Sequence, residues 1–190
     1  MNRPVAARAG IPAVFLAALA MLAGAGCGPE PTSQPGRQGP TTGDIAAMSE
    51  PNITQVAPIF DPFNPWIYNE DRSEVRGLVI GALYLLGPRS KGAFGDGIIR
   101  PRLYVAQRLP DGSRKWRPVK EWSFTPEQAM PFRAKRETAF GWGYRLYLRW
   151  DDVQEDLHGQ EIRLIVSFDR KDGVTVGSDA KDIRVPRKGR

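Results

Sequence analysis

Two runs in the C-terminal half of the chain alternate apolar and polar residues with a period of two, and that rhythm fixes the class of fold. Tyr144, Leu146, Leu148 and Trp150 interleave with Arg145, Tyr147 and Arg149, and Ile162, Leu164, Val166 and Phe168 interleave with Arg163, Ile165 and Ser167. Successive side chains of an extended strand point to opposite faces, so each run lays one row into a core and the other toward solvent. Leu78 to Leu86 is almost continuously apolar and reads as a central strand covered on both sides, with Gly77 and Gly81 marking a bend or bulge. Leu103 to Leu109 and Trp116 to Phe124 flank Pro110-Asp111-Gly112-Ser113, a hairpin turn. Asp169 to Gly173 forms a second turn before Val174 to Val176, and Asp182 to Val185 is the last strand.

One helical turn interrupts the series. Thr125 caps it, Pro126 suits its first position, Gln128 stands where a capping-box partner reaches back, and Pro131 stops it. Seven or so strands in roughly 110 residues, spaced by turn signals, predict an all-β fold: an antiparallel β-sandwich of immunoglobulin-like or C2-like size. A small barrel is the alternative. Long helical patterns are absent, which argues against alternating β-α architectures and their sites at strand carboxyl ends.

The N-terminal end follows a different logic. Arg3 and Arg8 precede an apolar stretch from Ile11 to Leu22, and Gly24-Ala25-Gly26 leads to Cys27, the single cysteine. The stretch is shorter than the ~20 apolar residues a bilayer crossing needs, and reads instead as an export signal. Leu22 to Cys27 resembles the lipobox of bacterial lipoproteins, with Gly24 where that family usually has leucine. The resemblance implies cleavage before Cys27, acylation of its thiol by palmitate-type chains, and anchoring of the exported protein to a cell membrane. Gly28, where inner-membrane lipoproteins often carry aspartate, points to an outer-membrane or surface destination. Plain secretory cleavage and an ordinary buried thiol are the competing readings of Cys27. One cysteine supports neither a disulfide within the chain nor a thiolate zinc site.

The organisation expected is therefore a signal peptide over residues 1–26, a tether over 27–69, and a β-sandwich over 70–190 with a basic C-terminal tail. Pro29, Pro31, Pro35 and Pro40 among Gly, Ser, Thr and Gln give the tether too little apolar surface to offset its conformational entropy. Near its end, Ile59 to Tyr68 interleaves Phe60, Phe63, Trp66 and Tyr68 with prolines. This segment reads as a strap across an edge or seam of the domain, or as an aromatic recognition segment for a partner. Loss of residues 1–26 removes two arginines and no acid, lowering the formal charge from +6 to +4. The last ten residues alone carry that surplus. The body is thus close to neutral with interspersed charges, which excludes the clustered basic face of a nucleic-acid binder. The tail reads as a solvated terminus, with anionic lipid, glycan or cell-wall polymer as the sharper alternative.

Candidate chemistry is sparse. His158, the single histidine, lies between an acidic loop and Gly159 and reads as a surface loop residue; no Gly-x-Ser-x-Gly turn accompanies it. Asp151, Asp152, Glu155 and Asp156 form the densest acidic group and are the candidate calcium ligands, with a solvated acidic turn as the plainer reading. Gly92 to Gly97 lacks the ending of a phosphate cradle and reads as a mobile connection. Trp150 and Trp122 fit core positions. Trp142, between two glycines, and Trp116, among Arg114, Lys115 and Arg117, are the candidate platforms for a sugar ring or partner, although Trp142 also suits a gap at the sandwich end.

These residues together suggest a membrane-anchored, non-catalytic binding or structural module of the cell envelope, with a protein partner. A carbohydrate or cell-wall binding module that uses its tryptophans, and a calcium-dependent module, are the alternatives.

Overall fold

The computed structural model describes residues 49–189. The signal segment, Cys27 and most of the tether lie outside the described residues. Two antiparallel sheets enclose one core, so the all-β, sandwich-type expectation holds.

Sheet I is built around the longest strand, β3 (Val75–Leu86). Along one of its edges run β1 (Gln55–Phe60) and then β2 (Trp66–Tyr68); along the other run β7 (Tyr144–Arg149) and the short β4 (Gly92–Ala93). Sheet II has β5 (Ile98–Arg108) and β8 (Glu161–Asp169) at its centre, β6 (Arg114–Glu121) on one edge, and β9 (Thr175–Gly177) followed by β10 (Lys181–Arg184) on the other. The predicted hairpin at Gly112 and the turn at Gly173 are both present, each glycine at a positive φ that side-chain-bearing residues rarely adopt.

The alternation seen in the sequence does the sorting. Leu78, Ile80, Leu83, Leu85, Leu146 and Leu148 from sheet I meet Ile99, Leu103, Ile162, Leu164, Val166 and Phe168 from sheet II, all at 2% exposure or less. Each such side chain contributes roughly 1.5–3 kcal/mol of burial. Near Gly81 the register slips against both neighbours, between Ile59 and Phe60 on β1 and between Ile80 and Leu83 on β3. The slip flips the alternation, so Leu83 and Leu85 face inward where an unbroken strand would present Ala82 and Tyr84.

The helix α1 (Pro126–Ala129) forms as predicted: Gln128 N–H donates to Thr125 Oγ1 at 3.3 Å and Thr125 N–H donates to Gln128 Oε1 at 3.0 Å. A single 3₁₀ turn, Met130–Phe132, follows, and Phe124 and Phe132 lean on the core from this side. Trp122 bridges the sheets there, donating from Nε1 to the Arg149 carbonyl at 2.9 Å.

Three expectations need correction. The folded body starts well before residue 70: Ile53 and Val56 are core residues, and the segment expected to be a tether with a strap supplies the edge strands β1 and β2. Proline reads as a strand breaker, but an edge strand has one unpaired side and tolerates Pro58 there. Gly92 to Gly97 is a tight packing element and not a loose connection, since a Cβ at Gly97 would stand 2.0 Å from the Asp169 carbonyl oxygen. The C-terminal residues also dock: Val185 is in the core, Lys188 pairs with Glu74 at 3.0 Å, and Gly189 N–H donates to the Ser73 carbonyl at 3.1 Å.

Leu83→Ala leaves a cavity beside the bulge that neither sheet can collapse to fill. Urea denaturation is expected to show a loss of about 2–5 kcal/mol; a loss near zero would mean that Leu83 does not sit in a packed core.

Candidate functional site

The two sheets do not close equally on their two sides. On the β6 and β7 side, Trp122, α1 and Phe132 fill the seam. On the other side the edges β1 and β10 face each other across a cleft of about 740 Å³, walled by residues 55–63, Pro65, Trp66 and residues 179–184. Among the described residues β1 pairs only with β3, and β10 only with β8, so the cleft is bordered by strand edges with no strand beyond them. Phe60, Trp66 and Ile183 form its apolar floor, packed against the core, while Phe63 stands at its rim with 95% exposure. Asp61 shapes that rim. Its Oδ1 accepts the amides of Phe63 at 2.8 Å and Asn64 at 3.1 Å, and those two bonds hold its carboxyl below the usual carboxylate range.

The two tryptophans proposed as platforms are not brought together. Trp142 tilts against Phe94, ring centroids 5.8 Å apart, and packs on the core at the end of the sandwich. Trp116 points outward from β6, with the Arg163 guanidinium 4.1 Å above its ring and Arg114 at 5.9 Å. It sits within an ion-pair lattice across the outer face of sheet II: Arg163 with Asp182 at 2.6 Å, Arg114 with Glu161 at 2.5 Å, Arg102 with Glu121 at 2.5 Å, and Arg100 with Asp169. Cross-strand neighbours of opposite sign make this face compatible with water.

The four acidic residues of the following loop separate as well. Asp151 pairs with Arg149 at 2.7 Å, Asp152 with Lys120, Glu155 with Arg117, and Asp156 with His158 and, at 3.4 Å, Lys188. Each carboxylate serves a different cation. Among the described residues no three His, Cys, Asp or Glu side chains are grouped to hold a metal ion. The Arg149 bond holds Asp151 below its ordinary pKa, and the Lys120 bond does the same for Asp152.

His158 departs most from its expected role. Its side chain is only 11% exposed, and Nε2 accepts the Val75 N–H at 2.9 Å. An accepting Nε2 places the ring proton on Nδ1, which faces Asp156 Oδ1 at 2.5 Å. The imidazole thus joins the start of β3 to the loop before β8, and Gly159 N–H extends the tie to the Val185 carbonyl at 3.1 Å. Its hydrogen-bonding capacity is spent on structure.

Two features escaped the sequence reading. The cleft depends on which edges face each other, which no local pattern encodes. The exposed apolar side chains come from three separate stretches: Ile59 and Phe63 fall in or at the start of the aromatic segment singled out from the sequence, whereas Phe140 and Tyr147, an aromatic in a row of arginines, were not singled out as exposed.

No family model, curated protein or solved structure matches the chain.

Hydrogen bonds from the His158 side chain and backbone, with help from Lys188, hold the Asp156 carboxyl down to about 2 from its ordinary 3.8. A depressed carboxyl contributes stability that is complete above its unfolded pKa and is lost as the pH falls through its folded one. The thermal midpoint is therefore expected to fall between about pH 4 and pH 2, and Asp156→Asn to flatten part of that slope. An unchanged slope in the variant would remove Asp156 from the acid response.

Proposed function

We propose that the protein is an exported, lipid-anchored component of the bacterial cell envelope whose β-sandwich binds a partner protein without catalysing a reaction. The anchor in this reading is an acylated Cys27, and the residues before it act as the export signal. The observation that carries the binding role is the cleft between β1 and β10, an apolar floor bordered by two unpaired strand edges.

Free strand edges offer backbone donors and acceptors to an extended peptide, and pockets beside them select its side chains. Pro58 removes one donor from β1 and thereby protects that edge from indiscriminate pairing, so a bound segment would align along β10, between the exposed Lys181 and Arg184. The Trp66 and Phe60 side chains in the floor would receive its apolar residues. Trp116 supports a sugar-binding role less well, because the Arg163 guanidinium already lies over its ring.

A photo-crosslinking residue at Lys181, in protein expressed in its native envelope, is expected to give a discrete protein adduct that the same probe at Lys115, on β6 at the opposite edge of sheet II, does not give. Intact mass of the same preparation should show a chain beginning at an acylated Cys27. Equal adducts from both positions would count against the cleft, and an unprocessed, lipid-free N-terminus would count against the anchor.

A further inference from the structure

The outer faces of the two sheets have opposite characters. That of sheet II carries the ion-pair lattice around Trp116. That of sheet I is apolar over its centre and edged by Arg145 and Arg149 on β7: strand register puts Ala57 beside Tyr84, Ile59 beside Ala82 and Val79 beside Tyr147, all on the side away from the core. Ile59 is 47% exposed and Tyr147 46%. Of the five large hydrophobic residues exposed among the described ones, Ile59 and Tyr147 lie on this face, Phe140 packs on its Tyr84, Phe63 stands just past β1 at the edge the face shares with the cleft, and Val174 lies elsewhere.

The rim has a definite chemistry. The segment from Phe132 to Phe140 runs alongside the face, with Phe132 against the Tyr147 ring at 6.4 Å at one end and Phe140 against the Tyr84 ring at 5.8 Å at the other. Phe140 is 64% exposed. Between them the segment carries Lys135 and Arg136, both exposed, and Arg145 lies over the Tyr147 ring at 5.8 Å. Among the described residues none of these three cations forms an ion pair, although Arg149 on the same face pairs with Asp151 at 2.7 Å; what sets them apart from the unpaired cations at the ends of sheet II is that they lie beside the exposed aromatic rings. Lys91, at the same end, pairs with Glu137, and the Asp61 carboxylate is engaged by the amides of Phe63 and Asn64.

We propose that the outer face of sheet I, with the Phe63 and Phe140 loops at its rim, seats on an anionic lipid surface. Aromatic side chains favour the headgroup boundary, and unpaired lysines and arginines around them favour anionic lipid. The path of the chain agrees. Ser49 bridges to Phe94, and the N–H of Gly92, two residues before Phe94, donates to the Phe140 carbonyl at 2.7 Å, so the polypeptide leading from Cys27 joins the body beside the Phe140 loop. One acyl-anchored chain and one basic-aromatic surface are two membrane signals, and stable attachment commonly uses two. The inference rests on the envelope role only for bringing a membrane within reach.

The test uses residues 27–190 carrying Cys27→Ser, so that no acyl group contributes, sedimented with vesicles of phosphatidylcholine alone or of phosphatidylcholine and phosphatidylglycerol in equal parts. Binding is expected only to the anionic vesicles. Arg136→Glu with Arg145→Glu should weaken it by at least about tenfold, as should Phe63→Ser with Phe140→Ser, while Arg108→Glu with Lys115→Glu, the same charge change on sheet II, should have a much smaller effect. All these positions are surface sites, and unchanged far-ultraviolet circular dichroism verifies folding. Absence of binding to anionic vesicles, or equal losses from both sheets' variants, would overturn the proposal. A dimer in light scattering that the phenylalanine variant dissolves would assign the face to a second copy and also overturn it. Since Cys27 is absent from the assay, this outcome is independent of whether the native chain is lipidated.

Discussion

Packing of β3 against β5 and β8 is the constraint on which the rest of this structure depends. With no cysteine among residues 49–189 and only a single turn of α-helix, the domain is held by apolar side chains that interlock between two sheets. β3 contributes to that core along its whole length, and its bulge at Gly81 realigns the inward row so that Leu83 and Leu85 remain buried. Both edges of sheet I are recruited by β3. Without it neither β1 and β2 on one side nor β7 on the other would have a partner, and the cleft would have no wall.

Once the core is fixed, the two outer faces are free to differ. Sheet II spends its outward positions on arginines and carboxylates in cross-strand register, which keeps that face hydrated. Sheet I spends most of its outward positions on alanine, valine, isoleucine and tyrosine, and of the cations around it Lys135, Arg136 and Arg145 are without acids among the described residues while Arg149 and Lys91 are paired. A monomer gains nothing from such a face in water, since scattered apolar residues are ordinary but a contiguous group with an aromatic rim is the mark of a contact surface. The cleft and this face lie on either side of β1, so one edge strand borders both a protein-binding and a membrane-facing surface in the account proposed here.

The sequence made some of this legible and not the rest, for identifiable reasons. Strands β7 and β8 were plain because each has one dry and one wet face, and the turns at Gly112 and Gly173 were plain because they demand glycine. The capping box at Thr125 was readable from four adjacent residues. β1 and β2 were hidden by Pro58, Pro62 and Pro65, whose usual meaning is irregular chain, and only an edge position reconciles them with a sheet. Burial of His158 depended on Val75, 83 residues away, and so left no local trace. The acids at 151, 152, 155 and 156 looked convergent by proximity in sequence, yet each found a separate cation, on β7 and β6 for the first three and on the loop histidine and the C-terminal segment for Asp156. Trp116 and Trp142 could be told apart only when one was assigned to a sheet face and the other to the core's end.

Hydrogen exchange of the chain from residue 27 onward, followed peptide by peptide, tests the central claim most directly, because it reports which segments belong to the cooperative core. The account predicts the slowest exchange in β3, β5 and β8, with Gln55 to Phe60 also protected wherever β3 holds it. Exchange of β3 as fast as the turn at Asp111 to Ser113, or of Gln55 to Phe60 at the rate of an unfolded peptide, would contradict it.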